Sequence, residues 1–165
     1  MTAAKIDPKT EAAVTAYRQL RRAADTIGHL LGQQLTSFGV SPGQFRVLEA
    51  LLVNGPMRQD KLGKEIFYDP RSMRYLTASL EKDVLIAKLR DQEDRRFPMV
   101  HLTPQGRSLI TKLFPRQAKL IRAQMIALGA REQGMLKRLC EKLADGDVNR
   151  FVRDDLPPVF GPVIS

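Results

Sequence analysis

The chain has 165 residues, 43% of them hydrophobic and 27% charged, a balance that suits one globular domain and excludes disordered, collagen-like and coiled-coil rod sequences. Its 27 lysines and arginines against 18 acids leave a net charge of +9, which suits a polyanionic partner. One cysteine, Cys140, and two histidines, His29 and His101, exclude an internal disulfide and point away from a zinc site.

The longest stretch free of Asp, Glu, Lys and Arg runs from Thr26 to Phe45. It contains His29, Pro42 and several glycines, so no membrane span is expected. Met1 to Asp7 lacks the apolar run of a secretory signal, and the expected address is the cytoplasm.

Apolar residues from Val14 to Phe38 recur at spacings of three, four or seven, which predicts one long helix from Pro8 to Phe38 stopped by Gly39. Ser41-Pro42 is a cap followed by proline and opens a second helix carrying Phe45, Val47, Leu48, Leu51 and Leu52. Asn54-Gly55-Pro56 ends it. A short third helix is expected over Arg58–Phe67. Asp69-Pro70 repeats the cap-and-proline signal. The helix it opens sets Met73, Leu76, Thr77, Leu80 and Val84 on one side and Arg71, Arg74, Tyr75, Ala78 and Lys82 on the other. A basic presented helix braced by a preceding one is the helix-turn-helix plan.

Residues 86–90 and 97–102 alternate in polarity around a charged tip and predict a β-hairpin, with Pro98 confined to an edge or a strand start. Thr103-Pro104 opens a further helix, which Pro115 should kink or interrupt. Between 104 and 128 lie Arg107, Lys112, Arg116, Lys119 and Arg122 with no acid. A last helix has Met135, Leu136, Leu139, Cys140 and Leu143 as its stripe, which places Cys140 as a buried, inert thiol. The tail beyond Asp145 is expected to be irregular.

The fold class expected is mainly α with a small β-hairpin wing: a winged helix-turn-helix flanked by N- and C-terminal dimerisation helices. From Ser41 to Arg107 the sequence resembles the MarR family of bacterial transcription regulators. The residues that carry the match are Leu80-Glu81-Lys82 with Leu85-Ile86, then Asp91-Gln92-Glu93-Asp94-Arg95-Arg96, then Leu102-Thr103-Pro104-Gln105-Gly106. The sequence departs from the family pattern at Val84, where glycine is usual, and at Tyr75, where a small or basic residue is commoner.

The resemblance implies three segments: 1–40 as N-terminal dimerisation helix, 41–103 as the DNA-binding lobe, and 104–165 as C-terminal dimerisation helices and tail. It implies a homodimer on a palindromic operator in double-stranded DNA, with Arg71, Ser72, Arg74 and Tyr75 as base or phosphate readers in the major groove. It assigns Arg95 to the minor groove and Arg96 to phosphate or an acid, with Asp91 and Asp94 orienting the guanidinium groups. It also implies a small anionic effector, aromatic or of acyl-coenzyme A type, that releases the DNA; Tyr17, Arg18, Arg22, His29 and Arg46 are its candidate ligands. The dimer is expected to use the first helix, the last helix and the Leu156–Val163 tail.

No Gly-rich phosphate loop, GxSxG, HExxH or zinc-ligand cluster occurs, so neither enzyme, metal nor cofactor is expected. The rival reading is a sequence-independent nucleic-acid or architectural protein, which the net charge alone permits.

Overall fold

A computed structural model of the chain describes residues 7–90 and 98–145. In chain order the elements are α1 (Pro8–Thr36), α2 (Pro42–Asn54), β1 (Met57–Arg58), α3 (Gln59–Glu65), α4 (Pro70–Lys82), β2 (Ile86–Arg90), β3 (Pro98–Leu102), α5 (Pro104–Met125) and α6 (Ala130–Ala144). The chain divides into two compact units, the first ending at Gln124 and the second beginning at Met125.

Local chemistry places the helix starts. Asp7 accepts from the Lys9 and Thr10 amides at 2.9 and 3.2 Å and so caps α1. At α2 the Ser41 hydroxyl takes the Gln44 amide at 3.2 Å while the Gln44 side chain takes the Ser41 amide at 2.8 Å, a reciprocal capping box.

Three helix ends share one hydrogen-bonded corner. The amides of Val40, Tyr68 and Leu85 each donate to the carbonyl five residues back, and those of Gly39, Phe67 and Val84 to the carbonyl three back. This is the Schellman arrangement, whose middle residue must adopt positive φ. Gly39 has φ 68°, Phe67 56° and Val84 58°. Glycine adopts that conformation freely, whereas a phenylalanine or a β-branched valine resists it.

The sheet is antiparallel in the order β1-β3-β2, with Ile86 opposite Leu102 and Arg90 opposite Pro98. β1 was not foreseen: two residues are too short to show a period, and Met57 and Arg58 are strand only because Val100 and Met99 lie beside them. The third helix is correspondingly shorter than the Arg58–Phe67 expected. Pro98 does open its strand, but the strand is the central one; β1 reaches only Val100 and Met99, so Pro98 lies beyond the three-stranded part.

The first unit is built on Val47, Leu48, Leu51, Leu62, Met73, Leu80, Ile86, Val100, Ile110 and Leu113, all essentially buried. α5 joins this core and runs unbroken through Pro115, contrary to the interruption expected. Burial of Ile110, Leu113 and Gln117 on either side of the proline offsets the backbone bond it removes. Gln117 is a buried amide in an otherwise apolar row, and its Nε2 donates to Leu31 O at 3.3 Å and Gln34 Oε1 at 2.9 Å, tying α5 to α1.

In the second unit α6 has no buried residue, and Met135, Leu139 and Leu143 are exposed. Cys140 is exposed too, not buried as its place in the stripe suggested. Periodicity marks which residues share a face, but a partner surface is needed to cover it.

Candidate nucleic-acid interface

The basic helix is held by its start, its buried face and its end. At the start, Asp69 Oδ1 accepts from the amides of Arg71 and Ser72 at 2.9 and 3.0 Å, and Oδ2 accepts from the Ser72 hydroxyl at 2.5 Å. The hydroxyl bond first, and then the backbone amides, hold the Asp69 carboxyl below its ordinary pKa of 3.8. The anion also sits against the positive end of the helix dipole.

On its inner face α4 buries Met73, Leu76, Thr77 and Leu80 and packs against α2 and α3. Thr77 Oγ1 donates to Met73 O at 2.8 Å and lies 3.1 Å from Gln59 Oε1 on α3. Gln44 Nε2 on α2 donates to Ser79 Oγ at 3.0 Å. The α3 crossing is close: a Cβ on Gly63 would stand 2.9 Å from Met73 Cγ and 3.1 Å from Tyr68 O. The two bracing helices therefore hold α4 by polar bonds of fixed length as well as by apolar packing.

At the far end the Leu102–Gly106 motif closes on the corner after α4. Thr103 Oγ1 donates to Val84 O at 2.6 Å, Thr103 N to Leu85 O at 3.1 Å, and the Gly106 amide to Thr103 Oγ1 at 3.0 Å. A Cβ on Gly106 would lie only 1.9 Å from Leu85 O. Glycine is required there by contact between two backbones, and the end of α4 is bonded directly to the beginning of α5.

What remains outside is the basic side that the sequence pattern assigned. Arg71, Arg74, Tyr75, Ala78 and Lys82 are all exposed, Tyr75 to 76%. Among the described residues neither Arg71 nor Arg74 forms an ion pair. Ser72 is half-buried and its proton is engaged by Asp69, so its primary role here is in the cap. Asp91, Asp94, Arg95 and Arg96 lie outside the described residues, as does the Leu156–Val163 tail.

Four of the five candidate effector ligands lie on α1 and the fifth, Arg46, on α2. Tyr17, Arg18, Arg22 and His29 are exposed along α1, where Tyr17 and His29 are separated by about 18 Å of helix rise. A shallow hollow on α1, lined by Gln19, Arg22, Ala23, Thr26 and Ile27, takes only Arg22 of the five. The His29 ring lies 3.0 Å from the Gln33 amide. Arg46 stands over the Tyr68 ring at 5.4 Å, and beside it burial pushes the Glu49 carboxyl pKa up while Arg46 opposes the shift. In the acid-free stretch of α5, Arg116 lies over Phe38 at 5.0 Å. Sequence reasoning did not single out Gln44, Gln59 or Phe67. No local pattern marks a polar partner 18 or 35 residues away, and Phe67 falls in a turn with no period to read.

Three bracing and presented helices with an antiparallel sheet make this a winged helix-turn-helix protein that offers a basic helix to nucleic acid. The sequence model of the MarR family matches residues 40–97, which cover the bracing helices, α4 and the strand that leads into the tip. MhqR of Bacillus subtilis, an HTH-type transcriptional regulator, is 25% identical over 81% of this chain and 92% of its own. Among solved structures, BpsR of Bordetella bronchiseptica is 27% identical with a TM-score of 0.73, over 79% of this chain and 99% of that one. MarR of E. coli complexed with operator DNA, 20% identical, shares the fold at a TM-score of 0.74 over 84% and 99%. Over residues 40–97 the chain thus resembles the MarR family, and over most of its length it is similar to HTH-type transcription regulators.

Proposed function

We propose that this regulator is a homodimeric repressor that reads a palindromic operator and is released from it by a small anionic ligand. The observation that carries the DNA reading is the two-faced α4. Its inner face is fixed to α2 and α3, while Arg71, Arg74 and Tyr75 stand exposed in the first turns after the cap. A helix fits the major groove. There an arginine bonds guanine bidentately or holds a phosphate, and a tyrosine packs on a thymine methyl or bonds a phosphate. Ser72 adds its lone pairs to whatever donor approaches the capped end. Arg95 enters the minor groove and Arg96 meets phosphate, with Asp91 and Asp94 as their orienting partners.

Two half-sites about 34 Å apart require two copies of the lobe. α1 exposes Tyr17, Leu20 and Leu30, and α6 exposes Met135, Leu139 and Leu143; each is an apolar surface of the kind a dimer covers. The segments 1–40, 41–103 and 104–165 then serve as dimerising helix, DNA-binding lobe, and dimerising helices with tail, and the protein acts in the cytoplasm.

Release by a ligand is supported by BpsR, whose DNA binding is regulated by 6-hydroxynicotinic acid, an anionic aromatic. Here the cations at Arg18, Arg22 and Arg46, with Tyr17 and His29 as hydrogen-bonding groups, are the candidate ligands, and the effector acts by favouring a dimer whose α4 helices no longer match the half-sites.

The test is a titration against the DNA upstream of the protein's own gene and a shuffled copy, at low and near-physiological salt. A preference of about a thousandfold that survives the higher salt is expected. Equal binding to both, lost together as salt rises, would replace this reading with an architectural one.

A further inference from the structure

We propose that Phe67 is a sequence-reading contact, its ring meeting a thymine methyl group at the edge of the major groove beside the amino end of α4. The inference rests on the DNA-binding reading above and adds to it a residue outside the helix itself.

Phe67 is the most exposed large apolar side chain among the described residues, at 84%. Its backbone has φ 56°, a conformation that side chains disfavour and glycine adopts freely. The same hydrogen-bonded corner after α1 is occupied by Gly39. Neither burial nor backbone preference therefore explains a phenylalanine after α3, and a residue kept against both is a candidate for contact with something outside the chain.

The position supplies the something. Phe67 stands two residues before Asp69, the cap of α4, in the turn that leads into the presented helix. The next residue is anchored: the Tyr68 amide donates to Gly63 O at 2.9 Å, its ring is half-buried against the core, and Arg46 lies over it. The left-handed step at Phe67 turns the chain so that the following aromatic packs inward while Phe67 stays outside. Its backbone is thus already fixed relative to Arg71 and Arg74, and little ordering remains for binding to bring about.

The chemistry narrows the partner. A phenyl ring has no proton to give a phosphate, and the apolar feature that DNA offers a protein in the major groove is the thymine C5-methyl. Val84 shares the backbone anomaly but lies at the carboxyl end of α4, is less exposed at 58%, and has its carbonyl clasped by Thr103. Position, not strain alone, singles out Phe67.

The experiment uses the palindrome that the full-length protein selects from random duplexes, a shuffled duplex, and palindromes in which single thymines are replaced by deoxyuridine, which removes only the methyl. Phe67→Ala and Phe67→Gly are expected to lose about five- to tenfold on the palindrome and little on the shuffled duplex. One deoxyuridine position should weaken the wild type by a similar factor and leave Phe67→Ala no weaker than it already is. Phe67→Gly should melt no lower than the wild type, which separates lost contact from lost folding. A palindrome bound equally by wild type and variants overturns the contact while the regulator reading stands. Equal losses on both duplexes, or additive losses at every deoxyuridine, overturn it as well. A wild type that does not separate palindrome from shuffled DNA overturns the regulator reading and this contact together.

Discussion

Replacing Gly106 by alanine should open the seam between the DNA-binding helix and α5. The added Cβ would meet Leu85 O at 1.9 Å and Leu85 C at 2.8 Å, whereas carbon and oxygen rest in contact at about 3.3 Å. Neither atom belongs to a side chain that can rotate away, so one backbone must retreat by more than an ångström. The retreat stretches the bonds that Thr103 makes to Val84 O at 2.6 Å and to Leu85 O at 3.1 Å. Overpacking of about 1–3 kcal/mol and about 1 kcal/mol for each of those two hydrogen bonds give a loss of about 3–5 kcal/mol. For a chain of this length that lowers the melting temperature by roughly 10 °C. Urea unfolding followed by circular dichroism measures it, with Gly134→Ala as the control, because nothing lies within 4 Å of the Cβ added there. A Gly106→Ala protein within about 1 kcal/mol of the wild type would refute the argument that backbone contact, and not chain flexibility, demands glycine at this point.

Other outcomes follow from the same geometry. Val84→Gly should raise stability by up to about 1 kcal/mol, since relief of the left-handed valine exceeds the greater freedom of glycine in the unfolded chain; a lower urea midpoint would count against it. Asp69→Ala should melt below the wild type at neutral pH. The Asp69 pKa is depressed from 3.8 in the folded protein, so the stabilisation is present above that value and disappears as the pH falls through the lower folded pKa. Melting curves of the two proteins should therefore converge in acid, and a constant gap at every pH would contradict this. Arg74→Ala should weaken operator binding by about 1–3 kcal/mol if the guanidinium reads a base, or reduce the salt slope by about one if it holds a phosphate; affinity and slope both unchanged would remove it from the interface. Gln117→Ala should cost about 2–4 kcal/mol through the cavity and the lost bonds to Leu31 O and Gln34, and a near-neutral result in calorimetry would deny the amide its role in joining α5 to α1.

Much of this protein was legible before its structure because helix starts and faces are local properties. A cap such as Asp69 followed by Pro70 acts within one turn, and the 3.6-residue period assigns Arg71, Arg74 and Tyr75 to one side whatever lies on the other. The family resemblance drew on the same residues together with the Leu102–Gly106 motif, and its usual glycine at position 84 found its physical meaning in the 58° φ of Val84. By itself, then, the chain determined where its helices begin, which face of α4 is basic, and that two alternating segments pair.

Only the tertiary structure decided what depends on a distant neighbour. β1 exists because β3 lies alongside, Pro115 is tolerated because flanking side chains are buried, and Gly106 is needed because Leu85, 21 residues away, touches it. It also left Cys140, Met135, Leu139 and Leu143 of the α6 stripe exposed. Period and caps are set by bonds within a few residues, whereas burial and close approach are set by whichever surface the folded chain brings near.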